Sequence, residues 1–516
     1  CLNHLLNKIK TLVESANQPS PAIVAQADVR QLPRWILLCL CGIYVLAGFV
    51  GRDPWKGDDI TSFGYMLELA RGHAQWLSPG ILGEPANFQA LLPYWLGAWA
   101  IRLAPAWMTA SQAVRVAYAL VLVLTMVCGW YVIYYLARSR AAQPVSFAFG
   151  GEASAADYAR TLADSGLLAL LACLGLAESA HETTPALMQL CCVSVVMLGL
   201  ALFPYHTRRA AVIGSLGAVG LTLSGAPTVA VLLGVLGVAV HAWSRAADWQ
   251  MQETEYELLP EEMRRLQRRR LLGLAGMALV VLACVLLAQG LHLWRWRLEP
   301  LPSRWIGWRN WVRMHLWFCW PAWPFVLWTL WRWRRQWSSI LPSRHLTLPL
   351  GVVLIGSLGS LLTDKSNTML LLALPAYAAL AAFALPTFKR GMAALIDWFT
   401  LILFTLAAIY VWFVWLAAIT GAPVRTAQRV YRMLEGYTPS FAWGAFGVGL
   451  VATVGWLALV RWRTSRMPHA IWKSMILPAG GVVMCWVMLT SLWLPSLNYA
   501  RSYQSVATRV AQAVRG

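Results

Sequence analysis

Apolar runs recur along this chain from about residue 35 to residue 494, separated by basic clusters or by turns rich in proline and glycine. Runs of about 15 to 25 such residues are long enough for a helix to cross hydrocarbon, and a spanning helix satisfies its own backbone N–H and C=O groups. The pattern predicts about thirteen spans, near 35–50, 113–136, 162–180, 185–203, 210–224, 227–243, 271–290, 321–334, 347–362, 368–386, 395–419, 441–460 and 474–494. In the first third, the longest stretch unfit for hydrocarbon opens with Arg52-Asp53-Pro54-Trp55-Lys56-Gly57-Asp58-Asp59. Behind it, Ile60 to Arg71 reads as a surface helix. After a turn at Ser78-Pro79-Gly80, the aromatic, amphipathic segment Leu91 to Trp99 reads as a helix lying on the membrane.

The arginines set the orientation. Counting from an inner start, every second connection is basic: Arg138/Arg140, Arg208/Arg209, Arg264 to Arg270, Arg332/Arg334/Arg335, Lys389/Arg390 and Arg461 to Lys473. That alternation places these clusters on the cytoplasmic side and requires that 91–104 not cross. Residues 1–34 then form a cytoplasmic interfacial segment, 35–494 the membrane domain, 51–112 its first outer loop, 244–270 a charged cytoplasmic connection, and 495–516 an outer tail. The chain opens at Cys1 with no cleavable signal, which reads as a trimmed start. Few acids remain on the outer side: Asp53, Asp58, Asp59, Glu68, Glu84, Glu178, Glu182, Glu299, Asp364 and Glu435. By the same count Asp157 and Asp164 lie at the inner end of their helix, and Glu182 is the acid able to meet Asp59 across the outer face. Cysteines at 157 and 181 are expected to label from opposite sides.

Composition agrees with a membrane chain: 59% of the 516 residues are hydrophobic and only 12% charged, about half the charge of a soluble domain. The net charge of +20 could suggest nucleic acid, but its placement at span ends points to orientation and anionic head groups instead. Thirty tryptophans suit interfacial anchoring. Ten cysteines, mostly within apolar runs such as Cys191-Cys192, have neither metal spacing nor a disulfide framework and read as small core residues.

The acidic pair Asp58-Asp59 is followed by Gly80-Ile81-Leu82-Gly83 and Leu92-Pro93-Tyr94-Trp95. Much later, Asp364-Lys365-Ser366-Asn367 leads into an apolar run broken by Pro375. In these features the chain resembles the GT-C glycosyltransferases that use polyprenyl-phosphate sugars, the superfamily of the lipid A aminoarabinose transferases and protein O-mannosyltransferases. It departs from them at Phe88-Gln89-Ala90, where an acid, a lysine and a proline are usual. Ser224-Gly225-Ala226-Pro227 matches the family's Gly-Pro turn but lacks its preceding lysine. Family members often carry an outer soluble domain after the last span; the short tail here reads as that of a naturally short or truncated member.

The resemblance implies an all-α polytopic GT-C fold with surface helices in the first outer loop. It implies an inverting transferase of a bacterial inner membrane with a periplasmic site, moving a sugar from polyprenyl (undecaprenyl) phosphate to a lipid, glycan or protein acceptor. Its partners are the lipid-linked donor, the acceptor and membrane lipids, with no nucleic acid. Asp59 or Asp58 serves as base or metal ligand, with Glu182 and His181 as further polar contributors. Lys365, Arg304 and Arg309 meet the donor phosphate, and a divalent cation held by Asp59 and Glu182 is one way for the carboxylates to assist. In that reading Asp59→Asn removes transfer and leaves stability nearly unchanged. Each residue also has a plainer role: Asp59 as a helix cap, His181 and Glu182 as polar members of a tight turn, Lys365 as a snorkelling lysine. A transporter or flippase of a lipid-linked glycan is the alternative function, although its usual midspan charges and inverted repeats are not evident here. An O-antigen-ligase-like enzyme would carry its large outer loop late in the chain.

Overall fold

In a computed structural model, residues 20–86, 89–243, 260–294, 298–337, 343–434, 436–464 and 470–515 are described. Most of residues 1–34 expected at the interface, much of the charged connection, and Arg295, Arg297 and Glu435 fall outside them. The described chain is helical apart from a two-stranded ribbon pairing Gly80–Ile81 with Glu84–Pro85. Each of the thirteen expected spans has a helical counterpart, but length and apolarity qualify only eight as crossings, with Arg34–Phe49 (α1) and Pro227–Trp243 (α9) shorter. The remaining three are less regular than the apolar runs suggest. The run at 162–180 is broken at Cys173, whose extended backbone separates Ala155–Ala172 (α5) from Leu174–Ser179 (α6). That at 210–224 is Thr207–Leu223 (α8), and that at 321–334 shrinks to Ala322–Arg332.

Residues 51–112, the expected first outer loop, contain Asp58–Arg71 (α2) and Leu92–Leu103 (α3). Arg102 on α3 donates to the carbonyls of Leu69 and Ala70 at 3.2 and 3.0 Å, adding to the Gly72 cap at the end of α2. The Trp95 indole donates to the Trp76 carbonyl, and Trp76 stacks on Trp99. Twelve residues of helix are too few to cross hydrocarbon, so the segment 91–104 lies on the bundle as the charge pattern requires.

Ala110–Ala137 (α4) follows, starting with a capping box in which Thr109 and Gln112 satisfy each other's backbone. Two helices form the centre, Pro185–Leu202 (α7) and Ser366–Ala384, both apolar around their circumference and buried nearly throughout. Pro260–Gly290 (α10) and Trp443–Thr464 keep most of their surface outward, as lipid-facing helices do. Small residues let backbones meet: a Cβ at Gly199 of α7 would lie 2.6 Å from the Gly214 Cα of α8. The chain is a multi-pass integral membrane protein.

Contacts at the two ends of α1 fix which residues share a face. Near its start, Gln26 and Gln31 donate to Asp157 at 3.0 and 3.3 Å, and Trp472 donates to the Arg30 carbonyl. Past its other end, Arg52 meets Glu182. Asp157 and Glu182 therefore sit at opposite ends of the bundle, as the count of crossings requires. Asp164 lies about two helical turns beyond Asp157 and accepts from the Trp130 indole at 2.8 Å. His181 is fully buried and unsuited to labelling, whereas Glu178 is exposed. Cysteines replacing Arg160 and Glu178 in a cysteine-depleted background are expected to react with an impermeant maleimide from opposite faces; reaction of both from one side would contradict this topology.

Candidate active site

The site begins with the backbone around Gly57. Gly57, at φ +96°, precedes α2 and is its cap residue, so Asp58 and Asp59 occupy the first turn, where negative charge suits the helix dipole. Asp59 is therefore not the cap residue. It is 2% exposed, and both its oxygens are engaged. Oδ1 accepts from the Thr183 amide at 2.8 Å and from the Thr183 hydroxyl at 2.6 Å. Oδ2 accepts from the Trp55 amide at 3.0 Å and lies 3.8 Å from Arg115 Nη2, an ion pair too long for a hydrogen bond. Asp59 thus ties the first outer loop to the turn before α7.

Around it lie further charges. Arg52, nearly buried, pairs with Glu182 at 3.4 Å and stacks its guanidinium 3.6 Å from the centre of the Trp55 ring, with Arg501 at 5.1 Å from the same ring. Nε and Nη1 of Arg52 and all three guanidinium nitrogens of Arg115 have no hydrogen-bond partner among the described residues. Buried donors left over in this way mark a place for an anion or ordered water. The Glu182 side chain keeps about a third of its surface open. Withdrawal from solvent pushes its carboxyl up to about 7, against the pull of Arg52 and with help from Asp59 and Asp58. At the rim, Lys365 Nζ is 2.7 Å from Asp58 Oδ2, joining two residues 307 positions apart.

The short helix Leu494–Arg501, which follows the last long apolar helix, closes one side. Asn498 Oδ1 accepts from the Asp53 amide and the Trp55 indole, and Asn498 Nδ2 donates to the Gly51 carbonyl at 3.0 Å. Lys56 reaches the Ala500 carbonyl. The loop carrying the acidic pair is thus clamped from two distant parts of the chain.

The expected residues are placed unevenly. Asp58, Asp59, Glu182 and Lys365 converge. His181 does not: its ring nitrogens lie 3.1 Å from the Ala177 and Tyr44 carbonyls, and its ring packs among Tyr44, Phe49 and Trp486. Burial holds the imidazole down at about 4, neutral at pH 7, so it locks the turn to α1 and is out of a substrate's reach. Arg304 and Arg309 are exposed at the start of Trp305–Phe318, a helix held beside the Lys365 end by the Trp311 indole on Ser360 and by the Glu299 amide on the Leu362 carbonyl. Arg52, Arg115, Thr183 and Asn498 carry no motif, although a lone arginine early in the apolar helix α4 was a signal.

The residues present do not fit a divalent cation. Asp59 has given its oxygens to Thr183 and Trp55, two guanidiniums flank it, and among the described residues no three His, Cys, Asp or Glu side chains gather. The bonding also revises the expectation for stability. Asn at position 59 would turn an amide donor toward one of the N–H donors that the carboxylate now satisfies. We expect Asp59→Asn to cost about 1–3 kcal/mol, read as a lowered Tm in detergent, and Thr183→Ala to cost less; unchanged Tm in Asp59→Asn would mean the carboxylate is not bonded as described.

No family model matches the sequence, and no curated protein matches it. Solved structures do. ArnT from Cupriavidus metallidurans in the apo state aligns over 93% of this chain and 80% of its own, at 15% identity and TM-score 0.53. The same protein bound to undecaprenyl phosphate aligns over the same shares at 16% identity and TM-score 0.55. An oligosaccharyltransferase from Archaeoglobus fulgidus, tethered to an acceptor peptide, gives 11% identity and TM-score 0.42 over 87% of this chain and 55% of that one. At these identities the ArnT likeness establishes the fold: this chain is built on the GT-C plan.

Proposed function

We propose that this GT-C chain is a glycosyltransferase that takes a sugar from a polyprenyl-phosphate donor on the periplasmic face of a bacterial inner membrane. The observation that carries the reading is the meeting of Asp58–Lys365 and Asp59–Glu182 with the two part-empty guanidiniums of Arg52 and Arg115. The fold likeness to a protein crystallised with undecaprenyl phosphate supports it. The donor's phosphate meets Lys365 at the rim, and the spare N–H groups of Arg52 and Arg115 lie deeper along the same charged cluster. Their positive charge favours the phosphate as it departs with the electron pair of the C1–O bond.

The acceptor hydroxyl or amine attacks C1 from the opposite face and loses a proton as the new bond forms, which inverts the anomeric centre. Glu182 is the proton acceptor of choice: it is partly open, and a carboxyl near 7 is well matched to neutral pH. Asp59, with both oxygens bonded, is a positioning residue. Sugar and acceptor are set by contacts outside this charged core.

The reading is tested by incubating the purified protein with a panel of polyprenyl-phosphate sugars and an envelope lipid extract. Release of free polyprenyl phosphate together with a glycosylated product is expected; movement of intact donor across proteoliposomes without release would make the chain a transporter. Two variants probe the roles. Lys365→Ala is expected to weaken donor binding about tenfold or more, with Lys365→Arg restoring part of it, because a cation at the rim attracts the phosphate directly; unchanged affinity would leave Lys365 a snorkelling residue. As a base, Glu182 works when ionised, so turnover rises with pH through about 7. Glu182→Gln is expected to lose that limb and at least about 100-fold in rate, the scale of general base catalysis, and a retained limb would assign the base elsewhere.

A further inference from the structure

At the end of the bundle opposite Asp59, helices α7, α8, α9 and α10 enclose a cavity of about 850 Å³, within the range of about 300–1,000 Å³ that holds sizeable ligands. Its depth is apolar and its walls are thinned by glycine. At Gly273 a Cβ would sit 2.1 Å from the Phe203 ring, so that glycine serves helix packing. About one turn along α10, Gly276 is different: it lines the cavity, and a Cβ there would meet nothing within 4 Å. The mouth carries three exposed arginines, Arg208 and Arg209 from the first turn of α8 and Arg269 from α10. Next to Arg269, Arg270 is already committed to the carbonyls of His241 and Ala242 at the end of α9.

We propose that this cavity is a binding site for an anionic phospholipid of the leaflet in which the basic clusters lie. Among the described residues the well is largely apolar and its charged lining residues are the three arginines at the mouth, which is complementary to a molecule with an acyl chain at one end and a phosphodiester at the other. A soluble anion would leave the well unfilled, and a zwitterionic lipid would bring its own cation against the arginines. The outer flank of α10 faces away from the bundle, which sets that wall of the cavity next to the bilayer. Basic pockets between spanning helices on the inner side take anionic head groups in this way. The site lies at the far end of α7 from Thr183 and is separate from the transfer chemistry.

The test uses the full chain purified in mild detergent, with phosphatidylglycerol and phosphatidylcholine of matched acyl chains as probes. The readouts are retained lipid by native mass spectrometry and Tm. Phosphatidylglycerol is expected to be retained about tenfold better, equivalent to about 1.4 kcal/mol, and to raise Tm. The triple variant Arg208→Gln/Arg209→Gln/Arg269→Gln is expected to lose the preference. Gly276→Phe, which keeps every arginine, is expected to lower retention of phosphatidylglycerol and remove its effect on Tm. If the triple variant does not fold, Gly276→Phe decides alone. Equal retention of the two lipids, full retention in Gly276→Phe, or displacement of phosphatidylglycerol by undecaprenyl phosphate would overturn the proposal. Lys365→Ala should leave retention unchanged, so a failed transferase reading and a failed lipid site give different results.

Discussion

The charged end of this molecule depends on one carboxylate. Arg52 and Arg115 are brought into a bundle of apolar helices, where an unpaired guanidinium would cost several kcal/mol. Asp59 lies 3.8 Å from Arg115, and its charge also favours the ionised form of Arg52. To hold that place the carboxylate must itself be desolvated, so its remaining lone pairs go to Thr183 and the Trp55 amide. The first outer loop, the turn before α7 and the start of α4 are thereby fixed to one another. Burial of that much charge with donors left over is costly, and such a cost is tolerated where a ligand or reaction uses it.

The same constraint divides the four acids that might have shared one role. Asp58 and Asp59 are adjacent in sequence but point apart, one paired with Lys365 in the open and the other sealed beneath it. Glu182 keeps an open edge and a raised affinity for its proton. Asp164, on α5, lies toward the Asp157 end of the bundle, away from the other three, and accepts from the Trp130 indole. In the proposed reaction, position in the charge network therefore favours Glu182 as the base, whereas the resemblance pointed first to the aspartate pair.

Much of this arrangement is legible in the order of residues. Alternating basic clusters place Asp58, Glu182 and Lys365 on one face, because orientation is set by the cost of moving arginine across hydrocarbon and leaves a period in the sequence. The surface helix at 92–103 is forced by the same count. Contacts that depend on three-dimensional closure leave no such trace. Thr183 and Asn498 are ordinary turn and helix residues until folding brings them to Asp59 and Trp55, and Arg115, conspicuous as a lone arginine early in an apolar helix, does not announce its partner. His181 misleads for the opposite reason: a histidine beside a glutamate suggests chemistry, yet the glycine at position 48 leaves room for its ring between helices, where a Cβ would sit 1.9 Å from it. The short helix at Ala322–Arg332 and the break at Cys173 are also invisible in the sequence, since hydropathy reports apolar length and not where a helix bends.

One helix connects the two ends. Helix α7 begins beside Thr183, under the charged cluster, and ends at the wall of the opposite cavity. Coupling between the ends would require α7 to have two discrete packings. Its surroundings oppose that: Gly199 approaches α8 so closely that a single Cβ would overlap the Gly214 backbone, and nearly all of its side chains are buried. Close backbone packing of this kind is rigid, because a shift of even a fraction of an ångström sacrifices many dispersion contacts at once. A lipid held at the far end therefore acts on this molecule by tightening the bundle in which α7 stands, and the geometry around Asp59 is set locally, by Thr183, Trp55 and the two arginines.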